Sequence, residues 1–321
     1  MCKYTIAIPA FKAKFFEAAL RSALNQDFTD AEVLVVDDAS PEDLASIADR
    51  VGRESASSGG LKLRFMRNAT GSGAMHLVRN WNICLQHARG KYFILMGDDD
   101  LIAPDALSDY EQLISQYPGL DVYHAGTVLI DSQGTAIRAV ASKAPFEDMA
   151  TLLEMRLLKG REQYIGDFCF DTEALRAAGG FYDMPLAWGS DDITVFRAAE
   201  SKGIANSSRT TYFYRVSPCT ISSDVSLTRT KLEATSAEQS WVRTALERLG
   251  KDSLANAASS ASLCRLRAGE ASAFDGRRVA LVRAAVRSGA KVSEFRDYLG
   301  CRAMFRARIK VVRDRIIPKS R

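Results

Sequence analysis

The sequence predicts an α/β fold: a mainly parallel, Rossmann-like sheet flanked by helices, followed by a helical C-terminal extension. Three observations carry this. Short apolar runs alternate with amphipathic stretches through the first third of the chain, the βα order that builds parallel sheets. Three of those runs end in conspicuous residues, namely Pro9, Asp37-Asp38 and Asp98-Asp99-Asp100. In such sheets ligands bind beyond the carboxyl ends of the strands, so groups far apart in sequence can converge there. Beyond residue 225 the composition shifts to Ala, Leu, Arg and Glu with few strand signals. The expected division is 1–224 for the sheet-bearing unit and 225–321 for the extension.

The elements follow in order. Thr5-Ile6-Ala7-Ile8-Pro9 reads as a buried strand, and Phe11 to Gln26 repeats apolar residues with helical spacing. Glu32-Val33-Leu34-Val35-Val36 is a second buried strand. Ser40-Pro41-Glu42-Asp43 then offers an N-cap, a proline at the first helical position and acids in the first turn. Leu61 to Phe65 alternates like a third strand, 74–88 reads as helix, and Lys91 to Met96 as a fourth strand. Between 120 and 215 the elements shorten: strands at 121–123 and 127–130, a turn at Gln133-Gly134, and helices at 146–159 and 191–202. The extension is expected to break near Gly250, Gly289 and Gly300.

Composition excludes several classes. The 47% hydrophobic and 26% charged content is that of a soluble globular chain. No apolar stretch reaches the roughly 18 residues that span a bilayer. Met1-Cys2-Lys3-Tyr4 runs straight into a strand, so no signal peptide is expected. The six cysteines are scattered without a CxxC pair, which points to reduced thiols in a cytoplasmic protein. The net charge of +4 hides an asymmetry, because residues 302–321 carry +7 and the rest −3. The basic character belongs to the tail, and a nucleic-acid role is not supported.

The chemistry concentrates at the aspartate triplet. Adjacent carboxylates repel, and leaving them unpaired in a buried site is costly. Oxygen-only ligands suit Mg²⁺ or Mn²⁺, ions usually shared with substrate phosphates. Asp98 and Asp100 would project to one side if the strand persists that far. The competing reading is a solvated acidic turn capping the next helix through Asp105. The first βα turn, Pro9-Ala10-Phe11-Lys12, has no GxGxxG, which argues against an ordinary dinucleotide site. Asp37 or Asp38 could accept from a base or ribose, or cap the helix with Ser40.

Taken in order, Thr5 to Phe11, Val35-Val36-Asp37-Asp38-Ala39-Ser40, Arg79-Asn80, Gly90-Lys91-Tyr92-Phe93, Asp98-Asp99-Asp100 and Pro104 resemble the inverting family 2 glycosyltransferases of GT-A fold. The resemblance covers roughly residues 3–216. It implies that Pro9, Ala10, Phe11, Asp37 and Asp38 contact the nucleobase and ribose of a nucleotide-diphosphate sugar, with Asn68 and Arg79 beside them. It implies that the triplet binds a divalent ion and the diphosphate. Gly97 stands where Asp is frequent, which puts metal duty on Asp100, with Asp98 also in the shell or touching sugar, and Asp99 beside the nucleotide sugar.

A second group, Gly179-Gly180-Phe181 and Trp188-Gly189-Ser190-Asp191-Asp192, resembles the family's acceptor side. By that analogy Asp192 is the base on the acceptor hydroxyl, Asp191 orients the acceptor, and Trp188 and Gly189 line its site. The competing reading is that both acids cap the helix they begin. Many relatives carry a His soon after the following strand; Tyr212-Phe213-Tyr214-Arg215-Val216-Ser217-Pro218 has none. His76 and His87 read as helix-surface residues, and His124 as a buried, satisfied one. Phe305, Ile309, Val312 and Ile316 recur at helical spacing among Arg306, Arg308, Lys310, Arg313 and Arg315. That stripe either packs on the domain or lies on an anionic membrane. The function implied is inverting transfer from a nucleotide-diphosphate sugar, by default a UDP-sugar, to a glycan or lipid-linked acceptor in bacterial surface glycan synthesis. The rivals are a nucleotidyltransferase, which would need a Gly-rich basic first loop, and a catalytically silent nucleotide-sugar-binding or assembly protein.

Overall fold

A computed structural model describes residues 2–217, 221, 223–250, 257–300, 303–307 and 309. The leading strands are β1 (Tyr4–Ala10), β2 (Ala31–Asp37), β3 (Lys62–Arg67) and β4 (Tyr92–Leu95). They are joined by α1 (Ala13–Leu24), α2 (Leu44–Ser57) and α3 (Leu77–His87). These strands are parallel neighbours in the order β3-β2-β1-β4. Side chains alternate faces along each. Ile6, Ile8, Val33, Val35 and Ile94 enter one core with α1 and α2, while Ala7, Leu34, Val36, Phe93 and Leu95 enter a second core on the opposite face.

After β4 come β5 (Leu101–Ile102), α4 (Ala106–Gln116), β6 (Val122–Ile130), β7 (Ala136–Ala139), β8 (Phe146–Glu147), α5 (Met149–Leu158), β9 (Phe168–Asp171), α6 (Thr172–Ala177), α7 (Ser190–Ala199) and β10 (Ile204–Arg215). Here the sheet is mixed. β9 inserts antiparallel between β4 and β6, β10 runs parallel to β6, and the short β5 and β8 pair antiparallel with β10. Register shifts in β10 around Thr210 mark bulges just before Tyr212, a device that re-aims side chains.

Three local expectations change. The cap of α2 is Asp43, whose carboxylate accepts from Ser46 N–H, not Ser40. Ser40 N–H instead donates to Asp37 Oδ1 and its hydroxyl to the Phe11 carbonyl, so residues 38–43 form a separate turn that ties two strand ends together. The strands expected at 121–123 and 127–130 are one continuous β6. The helix expected from 146 starts at Met149 behind an Asp148 cap, because Phe146-Glu147 pairs with β10.

The extension folds into α8 (Thr228–Leu249) and α9 (Ala257–Arg287), with breaks at Gly250 and Gly289. Its Val242, Ala245, Leu246, Leu263, Leu266 and Phe274 join the same core as Phe93, Phe168 and Val195. The helices therefore close one face of the sheet-bearing unit. A satellite core of Leu232, Val279, Val282, Phe295, Leu299, Ala303 and Ala307 lies beyond. Phe305 and Ile309 do not pack into it; they are 66% and 50% exposed. Val312 and Ile316 lie outside the described residues. Among those described, no helix is long and apolar enough to cross a membrane.

Candidate active site

Pro9, the triplet and Asp37-Asp38 do meet at the carboxyl ends of β1, β4 and β2. β4 stops at Leu95, and Asp98-Asp99 form a turn, so Asp98 and Asp100 do not share a side. Asp98 Oδ2 accepts from the Phe11 and Lys12 backbone N–H groups at 2.7 and 2.8 Å, clasping the β1–α1 loop. Burial pushes its carboxyl up to about 6 against those two bonds.

Asp100 is turned inward and 4% exposed. Its Oδ2 accepts from the Tyr212 hydroxyl and its Oδ1 from Arg215 N–H at 2.8 Å. Burial, then the neighbouring Asp99, raise its carboxyl to about 8. Asp99 accepts no side-chain hydrogen bond from any described residue, and burial raises it too, against the pull of Lys12 and Arg215. Arg215 braces the turn: its Nε donates to the Asp99 carbonyl at 2.6 Å, its Nη1 to the Asp131 carbonyl at 2.8 Å, and its guanidinium lies 4.4 Å over the Phe15 ring. Gly97 is explained by space, since a Cβ there would come 2.8 Å from Asp100 Oδ2 and 3.0 Å from Asp99 Oδ1.

Does this set fit a divalent ion? Among the described residues no three His, Cys, Asp or Glu side chains converge as a metal cage. Asp100, expected as the ligand, already has both oxygens engaged. What remains is an all-oxygen set short of positive charge, with Asp99 uncommitted and Asp98 beside it. That fits an ion bound by one or two carboxylates and completed by substrate oxygens, as Mg²⁺ and Mn²⁺ commonly are.

The nucleotide-side acids are bonded within the protein. Asp37 is fully buried; its carboxylate takes Ser40 N–H and pairs with Arg67. Asp38 accepts from Asn68 Nδ2 at 2.9 Å and from Ser72 N–H at 2.9 Å. Asn68 also donates to Asn80, which donates to the Val36 carbonyl. These three residues build the floor, because a satisfied buried carboxylate has little left to offer a ligand. Ala39 sits at φ 55°, a conformation that holds this turn open at some cost. Phe11, 46% exposed, Arg79, exposed, and Pro9, half-buried, remain open to a ligand, while Ala10 is buried.

The second acid group begins α7. The loop before it is strained, with Leu186 and Ala187 at φ 61° and 54° and Gly189 at φ 86°. Such conformations cluster where geometry serves function. They set Trp188, Gly189, Asp191 and Asp192 against a cavity of about 640 Å³, lined also by Trp81, Arg156, Tyr164, Tyr214, Glu238 and Arg277. Here the two acids differ. Asp192 is 2% exposed and locked: Arg156 Nε donates to both its oxygens at 2.7 and 2.9 Å, and Gln163 to Oδ1 at 2.8 Å. Despite burial, the charges of Arg156 and Arg277 hold its carboxyl below the usual range. Asp191, half-buried, accepts no side-chain hydrogen bond from a described residue; burial and then Asp192 lift it to about 7.

Tyr214 connects the two groups. It lines the cavity, stacks on Tyr164 at 3.9 Å, and its phenol is raised by burial and by the charges of Asp100, Asp99 and Asp191 alike. His124 is buried as expected, with Nε2 3.4 Å from Asp167 Oδ2, a distance at the long end for a hydrogen bond. Burial lowers it to about 4, so it is neutral, and it takes no part in either acid group. Sequence reasoning missed Arg156, Gln163, Glu238 and Arg277, which carry no local motif. Tyr212, Tyr214 and Arg215 were legible only as an aromatic strand end.

The profile described as Glycosyl transferase family 2 matches residues 5–165. A Campylobacter jejuni GalNAc(5)-diNAcBac-PP-undecaprenol β-1,3-glucosyltransferase is 26% identical over 150 residues, 46% of this chain and 45% of that protein. An uncharacterised Rickettsia conorii glycosyltransferase is 27% identical over 138 residues, 42% of this chain and 21% of that protein. The matched segment thus spans between about a fifth and a half of these relatives' length. Among solved structures, S. aureus TarS 1–349 in complex with UDP-GlcNAc superposes with a TM-score of 0.61 at 18% identity, covering 97% of this chain and 89% of that one. The Pyrobaculum calidifontis mannosyltransferase PcManGT in complex with GDP-Man and Mn²⁺ gives 0.56 at 17% identity, covering 99% and 88%. At such identities the structural likeness establishes the GT-A fold.

Proposed function

The chain belongs to glycosyl transferase family 2, and from that premise we propose that it transfers a sugar from a nucleotide diphosphate, by default UDP, to an acceptor hydroxyl with inversion. One observation carries the reading: Tyr214 lines the cavity with Asp191 and Asp192, and its phenol feels the charges of Asp100 and Asp99 as well as Asp191, so the two acid groups, some ninety residues apart in sequence, are neighbours through it. The first group suits a diphosphate and its counter-ion, the second an activated hydroxyl. Phe11 offers an exposed ring to the base, and Arg79 an exposed guanidinium to phosphate.

In the reaction the acceptor oxygen attacks the anomeric carbon from the face opposite the diphosphate. The C–O bond to the diphosphate breaks, and its electron pair leaves on the phosphate oxygen. The hydroxyl proton passes to a carboxylate of the pair. We assign that role to Asp191 rather than Asp192. Its carboxylate has no side-chain partner among the described residues and is poised near 7, where a general base is most effective. Asp192 stays ionised by its guanidinium partners and fixes the start of α7. A divalent ion at Asp99 and Asp98 would stabilise the charge on the leaving diphosphate. Lys12 already holds positive charge beside those two carboxylates.

The test is a thermal-shift and turnover screen of UDP-sugars and GDP-mannose with and without Mn²⁺. A donor that binds the native state raises the midpoint, and its slow hydrolysis is expected to need the ion. Binding without turnover on any acceptor would instead make the chain a nucleotide-sugar-binding protein, and no binding would sink both readings. Exposed Phe305 and Ile309 beside Arg306 support a further part of the proposal, contact with an anionic membrane carrying the acceptor. Phe305→Ser/Ile309→Ser protein that sediments with anionic liposomes as well as wild type would refute it.

A further inference from the structure

The cavity beside Asp191 is walled on one side by the C-terminal helices, which bring it a carboxylate that the reaction above does not use. Glu238, on α8, is 1% exposed. Its Oε1 accepts from Arg277 of α9 at 2.6 Å. Its Oε2 accepts no hydrogen bond from any described residue and lies against Gly189, where a Cβ would approach to 3.0 Å. Burial lifts this carboxyl to about 7 in spite of Arg277. The glycine, itself at φ 86°, keeps the approach to Oε2 clear.

The cavity therefore presents two carboxylates with open valence from two elements, Asp191 from α7 and Glu238 from α8, and both line it. Trp188 lines it as well, its indole fixed by a hydrogen bond from Nε1 to Thr235 at 3.2 Å and by Lys231 over the ring at 5.1 Å. An apolar platform beside paired acceptors suits a ring that carries several hydroxyls.

We propose that Glu238, held by Arg277, determines acceptor specificity by accepting a hydrogen bond from a second hydroxyl adjacent to the one that reacts. The acceptor class is then a vicinal diol, as on a sugar ring or polyol, rather than an isolated alcohol. Glu238 takes no proton in the transfer step; it orients the acceptor while Asp191 removes the proton. The inference rests on the glycosyltransfer reading.

The experiment uses the full chain with Mn²⁺ and whichever of UDP-GlcNAc, UDP-glucose, UDP-galactose or GDP-mannose it hydrolyses. Surrogate acceptors are trans- and cis-1,2-cyclohexanediol and cyclohexanol, which differ only in the second hydroxyl. Wild type is expected to favour a diol over cyclohexanol by about tenfold or more in kcat/KM, the range of one charge-assisted hydrogen bond. Glu238→Gln and Glu238→Asp should each shrink that ratio several-fold, mainly through the diol KM. Any fall in hydrolysis and cyclohexanol rates should be smaller than the fall with the diol, even though each variant alters the pair with Arg277. No diol preference in wild type overturns the proposal. So does an unchanged ratio in both variants, or an equal loss across water, cyclohexanol and diol, which would mark a purely structural role. Hydrolysis of none of the donors would overturn the glycosyltransfer reading itself, and this one with it.

Discussion

Replacing Asp191 and Asp192 one at a time separates base from brace. Asp191→Asn removes the uncommitted carboxylate while leaving Arg156, Gln163 and Asp192 bonded as they are. A positioned base is worth roughly 10²–10⁴ in rate, so kcat/KM for transfer should fall by that factor with donor binding unchanged. In wild type the acidic limb of kcat/KM should rise through about 7, because only ionised Asp191 accepts the proton. Asp192→Asn acts differently. It removes a negative charge that raises Asp191 and frees Arg156 to lower it further, so the acidic limb should move to lower pH. It also breaks a buried ion pair, for which the expected cost is about 3–5 kcal/mol. At about 2.1 cal/mol/K per residue, that is a drop of roughly 4–8 °C in Tm for a chain of this size. The assays are pH–rate profiles and calorimetric melts of both variants. An Asp191→Asn enzyme that keeps the limb, beside an Asp192→Asn enzyme that has lost it, would refute the assignment and return the base to Asp192.

Other consequences follow from the same geometry. Gly97→Ala places a methyl group 2.8 Å from Asp100 Oδ2 and should weaken Mn²⁺-dependent donor binding at least tenfold by calorimetry, since the turn must move; unchanged affinity would count against the packing argument. Tyr212→Phe leaves buried Asp100 without its hydroxyl donor and should cost about 1–3 kcal/mol in urea denaturation. Asp191 is an acid raised above its unfolded value, so the folded state binds the extra proton and its ionisation lowers stability as pH climbs from about 4 through 7. Asp191→Asn should therefore raise Tm at pH 8 and leave it nearly unchanged at pH 4; equal shifts at both would contradict the linkage.

The βα order, the parallel first sheet and the convergence of Pro9, Asp37-Asp38 and the triplet were legible because each rests on local signals. Apolar runs fix strands, and parallel strands must end on the same side. The Asp191-Asp192 start of α7 was legible for the same reason. What each acid does was not. Asp37, Asp38 and Asn68 read as ligand contacts, and only the structure adds that Arg67, Ser72 and Asn80 bond to them. β9 escaped notice because Phe168 to Asp171 is too short for any period to show, yet it sits at the centre of the sheet.

The chain's own order determined where the carboxylates gather, at the loops that end β4 and begin α7. Tertiary contacts decided which of them remain available: Tyr212 and Arg215 occupy Asp100, Arg156 and Gln163 occupy Asp192, and Asp99 and Asp191 have no side-chain donor among the described residues. The extension likewise read only as helix, but α8 and α9 carry Glu238 and Arg277 into the cavity. The reason is physical. Strand and helix placement follows from neighbours a few residues away, whereas the state of a buried charge depends on partners and desolvation contributed by residues anywhere in the chain.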